Sequence, residues 1–127
     1  MSVREIWEIE LSTGKLPVSK WIGRHLSGRE KTKLDVRFWN IESEPTVSKE
    51  WLRPYVSLKM VEIRFSPGGR AIRFLCHEQG NHLILLEATQ KDGDIDIEVE
   101  KRAVKFRSFL LKEEIGVRRY PLPQRAP

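Results

Sequence analysis

Three short segments between residues 60 and 88 constrain the fold of this chain more than any other part of the sequence. The first, residues 60–65, alternates between apolar and polar side chains. The turn sequence Ser66-Pro67-Gly68-Gly69 separates it from residues 70–76, and Glu78-Gln79-Gly80-Asn81 separates these from residues 82–88. A two-residue period interrupted by such turns predicts a three-stranded antiparallel meander.

The third of these segments contains Leu83-Ile84-Leu85-Leu86, an apolar run without a polar residue to mark a solvent-facing side. Such a run is typical of a central strand that is covered on both faces. Residues 3–11 alternate instead, with Trp7, Ile9 and Leu11 on one side and glutamates on the other. This pattern predicts a separate, half-buried strand.

Three other stretches have the period of a helix. The first opens at Leu16-Pro17, because proline is well placed in a first helical turn. Ser27 and Glu30 have the spacing of a capping box and predict the start of the second helix. The third is amphipathic over residues 95–114, and Gly116 follows at a position that often closes a helix.

This order of elements, with one strand, two helices, a three-stranded meander and a last helix, predicts an α+β domain. We expect one mixed or antiparallel sheet packed on helices, and a single domain over residues 1–115 of the 127-residue chain. Residues 116–127 contain three arginines and three prolines, and we expect them to form a flexible basic tail.

The charge of the chain is unevenly distributed along the sequence. Lysine and arginine number 23 against 18 acidic residues, which gives a net charge of +5. Residues 15–37 hold seven bases and two acids, whereas residues 92–100 hold five acids and no base. The layout fits a nucleic-acid-binding protein with a separate acidic surface, and it fits ordinary solvated helix faces equally well.

Several classes of protein are excluded by what the sequence lacks. No apolar run approaches the roughly 18 residues that span a bilayer, and residues 1–5 do not lead into a signal-peptide core, so we expect a cytoplasmic protein without a membrane partner. Cys76 has no partner for a disulfide, and we expect it to be packed rather than nucleophilic. The three histidines lie in different elements and no glycine-rich phosphate loop is present, so we expect neither a metal nor a cofactor.

Basic side chains recur on the predicted meander. Arg64 lies on its first strand, Arg70 and Arg73 belong to the second, and Lys91 follows the third. Neighbouring strands are about 4.8 Å apart, so these side chains can converge within reach of one phosphate group. Guanidinium groups bind phosphate oxygens through paired hydrogen bonds and stabilise the charge that develops in phosphoryl transfer. Alternatively, these arginines belong to the solvent-exposed face of an antiparallel sheet, where arginine is common.

The meander resembles the centre of the RelE/HigB family of bacterial and phage toxins. The motif is Val61-Glu62-Ile63-Arg64-Phe65, a Pro-Gly-Gly turn, and then Ala71-Ile72-Arg73-Phe74-Leu75, which is similar to the Glu-Leu-Arg-like and Tyr-Arg-Val-like strands of those proteins. Residues 83–91 resemble their last strand and its exit, and residues 96–103 resemble the helix that follows in the phage-related HigB-like branch. The resemblance covers residues 3–114 and implies a RelE-like topology.

The resemblance implies the toxin of a type II toxin–antitoxin system, an mRNA interferase that acts at the ribosome. Such a toxin is a metal-free endoribonuclease, in which the 2′-hydroxyl of the RNA attacks the adjacent phosphate and basic side chains stabilise the charged intermediate. The implied partners are mRNA, the ribosome and a cognate antitoxin, which we expect to be of the helix-turn-helix type.

Residue roles follow from the same resemblance. Arg73 takes the position of the arginine that holds the scissile phosphate, Arg64 that of a basic residue on the preceding strand, and Lys91 that of the basic residue after the last strand. We expect these three residues to be catalytic. Four further cations are expected to contact RNA: Arg70, Lys33, Arg37 and Lys59. The candidates for a general acid or base are the histidines that flank the second turn, His77 and His82.

Two departures from the family pattern leave other functions open. Glu62 stands where some members have a basic residue, and the last helix has no tyrosine or histidine near its start, where several relatives place a proton-transfer group. A ParE-like toxin directed at DNA gyrase, or a catalytically inactive homologue, would keep the fold without the nuclease residues. A non-catalytic RNA-binding phage-related protein, in which the arginines only hold phosphates, is the third alternative.

Overall fold

Helices cover both faces of a six-stranded sheet in this protein. The computed structural model describes residues 3–125. The strands are β1 (Glu5–Glu10), β2 (Leu52–Tyr55), β3 (Met60–Phe65), β4 (Ile72–Gln79), β5 (His82–Gln90) and β6 (Gly116–Arg119). The helices are α1 (Pro17–His25), α2 (Gly28–Ser43) and α3 (Ile97–Leu111). These elements confirm the predicted α+β class with a mixed sheet.

The strand order across the open sheet is β2-β3-β4-β5-β1-β6. β1 runs parallel to β5, and every other neighbouring pair of strands is antiparallel. β1 therefore lies inside the sheet, and both Ile6 and Ile9 are fully buried although they lie on opposite faces. The prediction of a half-buried first strand is wrong, because both faces of β1 are covered.

The meander of β3, β4 and β5 is confirmed. Its first turn is a 3-10 turn in which Gly68 and Gly69 have φ values of 58° and 83°, a conformation that residues with a Cβ rarely adopt. Two residues, Gly80 and Asn81, join β4 to β5. Residues 83–86 are buried along their whole length, as expected of a strand that is covered on both faces.

Local signals in the sequence determine where the two N-terminal helices begin. α1 begins at Pro17, and α2 begins after Ser27, whose Oγ accepts a hydrogen bond from the backbone N of Glu30 at 3.1 Å. The Glu30 carboxylate accepts one from the backbone N of Ser27 at 2.9 Å, which completes the predicted capping box. α3 ends at Leu111 and Gly116 begins strand β6, so Gly116 does not close a helix as predicted.

Two apolar layers hold the sheet between the helices. α1 and α2 pack on one face, where Ile22, Phe38 and Phe74 are fully buried, and we call this the α1/α2 face. α3 packs on the other face, against Leu75 and Leu86 among others, and we call this the α3 face. Within residues 3–125, no helix has the length and apolar character that crossing a membrane requires.

Neither edge strand is predicted by the sequence pattern. β2 pairs with β3 and contains Pro54, which an edge strand tolerates because one of its sides makes no ladder hydrogen bonds. β6 pairs with β1, and the residues that follow it, Tyr120 and Leu122, are buried in the α1/α2 face. Residues 116–125 therefore belong to the folded domain rather than to the predicted flexible tail. The remaining residues of that tail, 126–127, lie outside the described residues.

Asp35 on α2 is a buried carboxylate with a single partner. Its Oδ2 lies 3.2 Å from the Nζ of Lys31, while its Oδ1 is buried and has no hydrogen-bond partner among the described residues. Burial raises the pKa of Asp35 above its ordinary value, and the Lys31 ammonium partly opposes this effect. The folded protein thus binds a proton at Asp35 more readily than the unfolded chain does. Protonated Asp35 therefore stabilises the folded state. This contribution to the free energy of unfolding is lost as the pH rises through the raised pKa of Asp35.

Asp35→Asn is expected to raise the free energy of unfolding at about pH 7 by about 1 kcal/mol, because it removes a buried and poorly compensated charge. This gain should shrink as the pH falls towards 3.8, the ordinary pKa, since the wild-type side chain is then neutral. Urea unfolding of both proteins at neutral and at acidic pH measures the gain. A gain that is equal at the two pH values would contradict the role of the charge.

Candidate phosphate-binding cleft

A buried glutamate on the α3 face holds three arginines from three adjacent strands. Glu62 on β3 is 1% exposed, and its Oε1 lies 3.1 Å from the Nε atoms of both Arg53 and Arg64. Its Oε2 accepts a hydrogen bond from the Nε of Arg73 at 2.8 Å and lies 2.7 Å from Nη2 of the same residue. We call these four residues the Glu62 cluster.

The register of the strands brings these side chains together. Arg53 on β2 is directly opposite Glu62, and Arg64 is directly opposite Arg73 on β4. Alternation along β3 puts Glu62 and Arg64, which are two residues apart, on the same face. Like charges directly opposite each other destabilise a pair of strands, and the carboxylate of Glu62 compensates that repulsion here.

The arginines of the cluster differ in how many of their donors are in use. Arg73 is 6% exposed, and its Nη1 donates to the backbone oxygen of Gly93 while Nε and Nη2 contact Glu62. Arg53 and Arg64 lie closest to Glu62 through Nε, and their Nη atoms make no hydrogen bond within residues 3–125. The arginine predicted to hold the scissile phosphate is therefore a buried partner of Glu62, and the Nη atoms without a hydrogen bond belong to the other two.

A cleft of about 400 Å³ lies beside the cluster, at the end of β3 and the start of β4. Its walls are formed by Glu50, Arg64, Ser66, Ala71, Ile72, Arg73 and Asp92. Burial lowers the pKa of the Arg64 guanidinium from its ordinary value of 12.5, while Glu62 and, more weakly, Asp92 raise it. Arginine stays charged at physiological pH. The cleft therefore presents the Arg64 cation, and two carboxylates, Glu50 and Asp92, are among its other lining residues.

Of the three residues predicted to be catalytic, the structure brings two together. Arg64 and Arg73 line the cleft, whereas Lys91 follows β5 and is not among the lining residues. The Nζ of Lys91 lies 3.1 Å from Asp96, the residue that precedes α3. Lys91 thus forms an exposed ion pair at the start of α3 instead of joining the arginines.

The four cations predicted to contact RNA are dispersed over the protein. Arg70 pairs with Glu30 of α2 at 2.6 Å, away from the Glu62 cluster. Arg37 packs over the Trp51 ring at 4.1 Å and donates from Nη1 to the backbone oxygen of Arg64 at 2.8 Å, so it joins α2 to the end of β3 and is not among the residues that line the cleft. The other two are exposed and far apart in the chain: Lys33 on α2 and Lys59 immediately before β3.

The two histidines lie away from the cleft. His77 is four residues beyond Arg73 on β4, which is about 13 Å at the usual rise of a strand, and burial lowers its pKa. His82 stacks on Trp7 with ring centroids 5.1 Å apart, and its Nε2 lies 3.2 Å from Glu5. Neither ring lies where the predicted general acid or base would have to be.

Sequence reasoning missed Arg53 and Tyr55 because it missed β2. The hydroxyl of Tyr55 donates a hydrogen bond to Glu100 of α3 at 2.6 Å. Burial and, to a smaller extent, the Glu100 carboxylate raise the pKa of Tyr55 to about 12, so the phenol is protonated at neutral pH. The only signal for this strand is the alternation in Leu52-Arg53-Pro54-Tyr55, which Pro54 obscures.

Cys76 is fully buried, as predicted, and burial raises the pKa of its thiol. A buried thiol of this kind is inert, because the thiolate is the reactive form. Among residues 3–125, no three His, Cys, Asp or Glu side chains are grouped as metal ligands are.

The function of the Glu62 cluster and its cleft has to be inferred from their own geometry. Comparisons of the chain with protein-family models, with curated proteins and with solved structures gave no match.

Proposed function

We propose that the protein is a RelE/HigB-like toxin of a type II toxin–antitoxin system, with a RelE-like topology, and that it acts on RNA in the cytoplasm. Its partners in this proposal are mRNA, the ribosome and a cognate helix-turn-helix antitoxin. The succession β1, α1, α2, β3, β4, β5 and α3 supports the proposal, because it has the order that the resemblance implies. β2 and β6 are then additions at the two edges of the sheet.

The observation that carries the proposal is the state of Arg64 in the cleft. Its Nε forms an ion pair with Glu62 at 3.1 Å, and within residues 3–125 its Nη atoms make no hydrogen bond, so they can bind a ligand. A guanidinium that a buried carboxylate orients in this way presents two donors to a phosphate group with little further loss of side-chain freedom. Arg53, on the neighbouring strand, donates a hydrogen bond from Nε to the same oxygen of Glu62, but it is not among the residues that line the cleft.

The proposed reaction needs no protein nucleophile. The 2′-oxygen of the RNA bonds to the adjacent phosphorus, the bond from phosphorus to the 5′-oxygen breaks, and the products are a 2′,3′-cyclic phosphate and a 5′-hydroxyl end. Water accepts the proton of the 2′-hydroxyl and supplies one to the leaving oxygen. Arg64 stabilises the charge on the phosphoryl oxygens, and Arg73 acts through Glu62 to position Arg64.

Arg64→Gln is expected to slow RNA cleavage by about 10²–10³-fold, because that is the usual cost of removing one preorganised donor to a developing oxyanion. The measurement is the mapping of new mRNA 5′ ends after purified protein is added to translating ribosomes, together with growth inhibition when the protein is expressed.

Arg102→Gln is the control for this prediction. Arg102 on α3 is also ion-paired with a glutamate, Glu87 at 2.6 Å, and it is not among the residues that line the cleft. We expect this variant to retain cleavage within about twofold. Cleavage by Arg64→Gln that equals cleavage by Arg102→Gln would rule out the role of the cleft.

A specific observation favours a second candidate, a toxin-like protein that binds but does not cleave. Each guanidinium nitrogen of Arg73 contacts Glu62 or Gly93, and the described residues that line the cleft include no histidine, tyrosine or lysine. A ParE-like or catalytically inactive homologue, or a non-catalytic RNA-binding phage-related protein, fits this arrangement. Gyrase-linked DNA breaks identify the ParE-like toxin, and salt-dependent RNA binding without new 5′ ends identifies the RNA-binding protein.

A further inference from the structure

The outer surface of α1 and α2 carries four cations that have no partner in the described chain. Lys20 and Arg24 lie on α1, Arg29 and Lys33 lie on α2, and all four are exposed. Within residues 3–125 none of them makes an ion pair or a side-chain hydrogen bond, unlike their neighbour Lys31. We call these four residues the helical basic surface.

The spacing of these residues concentrates their charge. Lys20 and Arg24 are four residues apart, as are Arg29 and Lys33, so each pair lies on one side of its helix with Cβ atoms about 5–6 Å apart. Like charges at this spacing repel each other and destabilise a helix. No carboxylate within residues 3–125 pairs with them, so a polyanion bound from outside is what would relieve the repulsion.

The acidic residues of the same segment are used internally. Residues 15–37 contain only Glu30 and Asp35. Glu30 pairs with Arg70 at 2.6 Å, and Asp35 is buried beside Lys31. The surface outside α1 and α2 is therefore positive, although the segment as a whole contains both signs of charge.

An aromatic stack on α1 lies beside Lys20 and Arg24, and its Trp21 ring also packs against the core of the α1/α2 face. The rings of Trp21 and His25 have centroids 4.3 Å apart and planes at 14°, and His25 is exposed. These rings are next in sequence to Lys20 and Arg24 respectively. Aromatic faces beside several cations suit the bases and phosphates of a nucleic acid better than the carboxylates of an acidic protein.

We propose that the helical basic surface binds the phosphate backbone of RNA at a second site, separate from the cleft. The two sites lie on opposite faces of the sheet, because the Glu62 cluster is on the α3 face. They share one end of it, since Arg70, which precedes the cleft residue Ala71, donates to the backbone oxygen of His25 at 2.8 Å. An RNA that passes around this end of the sheet contacts both sites. The second site goes beyond the proposed function, since it requires no cleavage.

The test measures binding of an end-labelled single-stranded RNA in which every 2′-hydroxyl is methylated, so that cleavage cannot affect the result. Arg24→Gln/Arg29→Gln is expected to weaken binding at least about tenfold in low salt and to reduce the slope of log affinity against log salt by about 1.4, which is about 0.7 for each lost phosphate contact on a single strand. Lys101→Gln/Lys112→Gln removes the same charge from exposed positions on and after α3, and we expect its affinity to stay within about twofold of wild type.

Equal affinities and equal salt slopes for the two double variants would overturn the proposal. It would also be overturned if Arg24→Gln/Arg29→Gln lost binding to poly-glutamate but not to RNA, since the ligand would then be an acidic protein segment. Binding of a single-stranded DNA of the same sequence distinguishes RNA from DNA as the source of the phosphate backbone. Tighter binding of DNA than of RNA, lost in Arg24→Gln/Arg29→Gln, would overturn the choice of RNA.

Discussion

Glu62→Gln is expected to lower the free energy of unfolding by about 3–5 kcal/mol, because it leaves the buried Arg73 guanidinium without a counter-charge. The Arg73 side chain is almost fully buried, so water replaces the lost carboxylate only if the strands move apart. Glutamine keeps the shape of the side chain and one acceptor oxygen, so the loss reports the charge and not the packing. Urea unfolding followed by circular dichroism measures it.

Two further variants make this measurement specific to the buried pair. Arg53→Gln removes a charge from the same cluster, but this side chain is 40% exposed, so the expected loss is below about 1 kcal/mol. Combining Glu62→Gln with Arg73→Met removes both buried charges and is expected to recover about 1–3 kcal/mol. A Glu62→Gln protein as stable as Arg53→Gln would contradict this account of the cluster.

Removal of residues 116–127 is expected to abolish stable folding. The deletion takes away β6 and the buried side chains of Tyr120 and Leu122, and it leaves the buried carboxylates of Glu8 and Glu42 without their arginine partners. Breaking one buried pair costs about 3–5 kcal/mol. Two such losses, together with the lost apolar burial, are comparable with the total stability of a domain, about 5–15 kcal/mol.

A single substitution tests the same region without a deletion. Tyr120→Ala is expected to lower the free energy of unfolding by about 3–5 kcal/mol, because it empties a buried site where the tyrosine ring meets the Phe38 ring edge-on at 5.0 Å. Val117→Ala, at an exposed position in β6, is the control, with an expected loss below about 1 kcal/mol. A Tyr120→Ala protein with an unchanged unfolding midpoint, or a folded deletion variant, would show that this strand is not part of the core.

Features that depend on neighbours in the chain are predicted well by the sequence. The capping box of α2 involves only Ser27 and Glu30, and the turn after β3 involves only adjacent residues. The strands of the meander follow from a two-residue period that their own side chains define. Local geometry decides each of these features, so no knowledge of the rest of the fold is needed.

The edge strands are not predicted because their partners are distant or their pattern is too short. Glu8 on β1 and its partner Arg118 on β6 are 110 residues apart, and nothing in the four residues of β6 points to β1. The net charge of the chain likewise overstates the positive charge available at the surface, because some arginines pair with glutamates that are distant in sequence. Arginines such as Arg118 and Arg119 look like free surface charge in the sequence, but they neutralise glutamates inside the fold.

The candidate site is predicted in part. Strand alternation puts Arg64 and Arg73 on one face, and the structure confirms that they meet there. Arg70 and Lys91 do not join them, because β4 begins only at Ile72 and β5 ends at Gln90, so both residues lie outside the strands. Glu62 is buried among arginines of which Arg53 and Arg73 come from the neighbouring strands β2 and β4, and the sequence of β3 alone carries no signal for this burial.

The position of β1 between β5 and β6 affects when the sheet can fold during translation. β1 is the first of the six strands to be synthesised, yet its neighbours β5 and β6 are the last two. Pairing across such long separations is slow compared with helix formation. A nascent chain that stops before β6 therefore lacks a complete sheet. We expect this topology to delay any activity of the cleft until β6 has been synthesised.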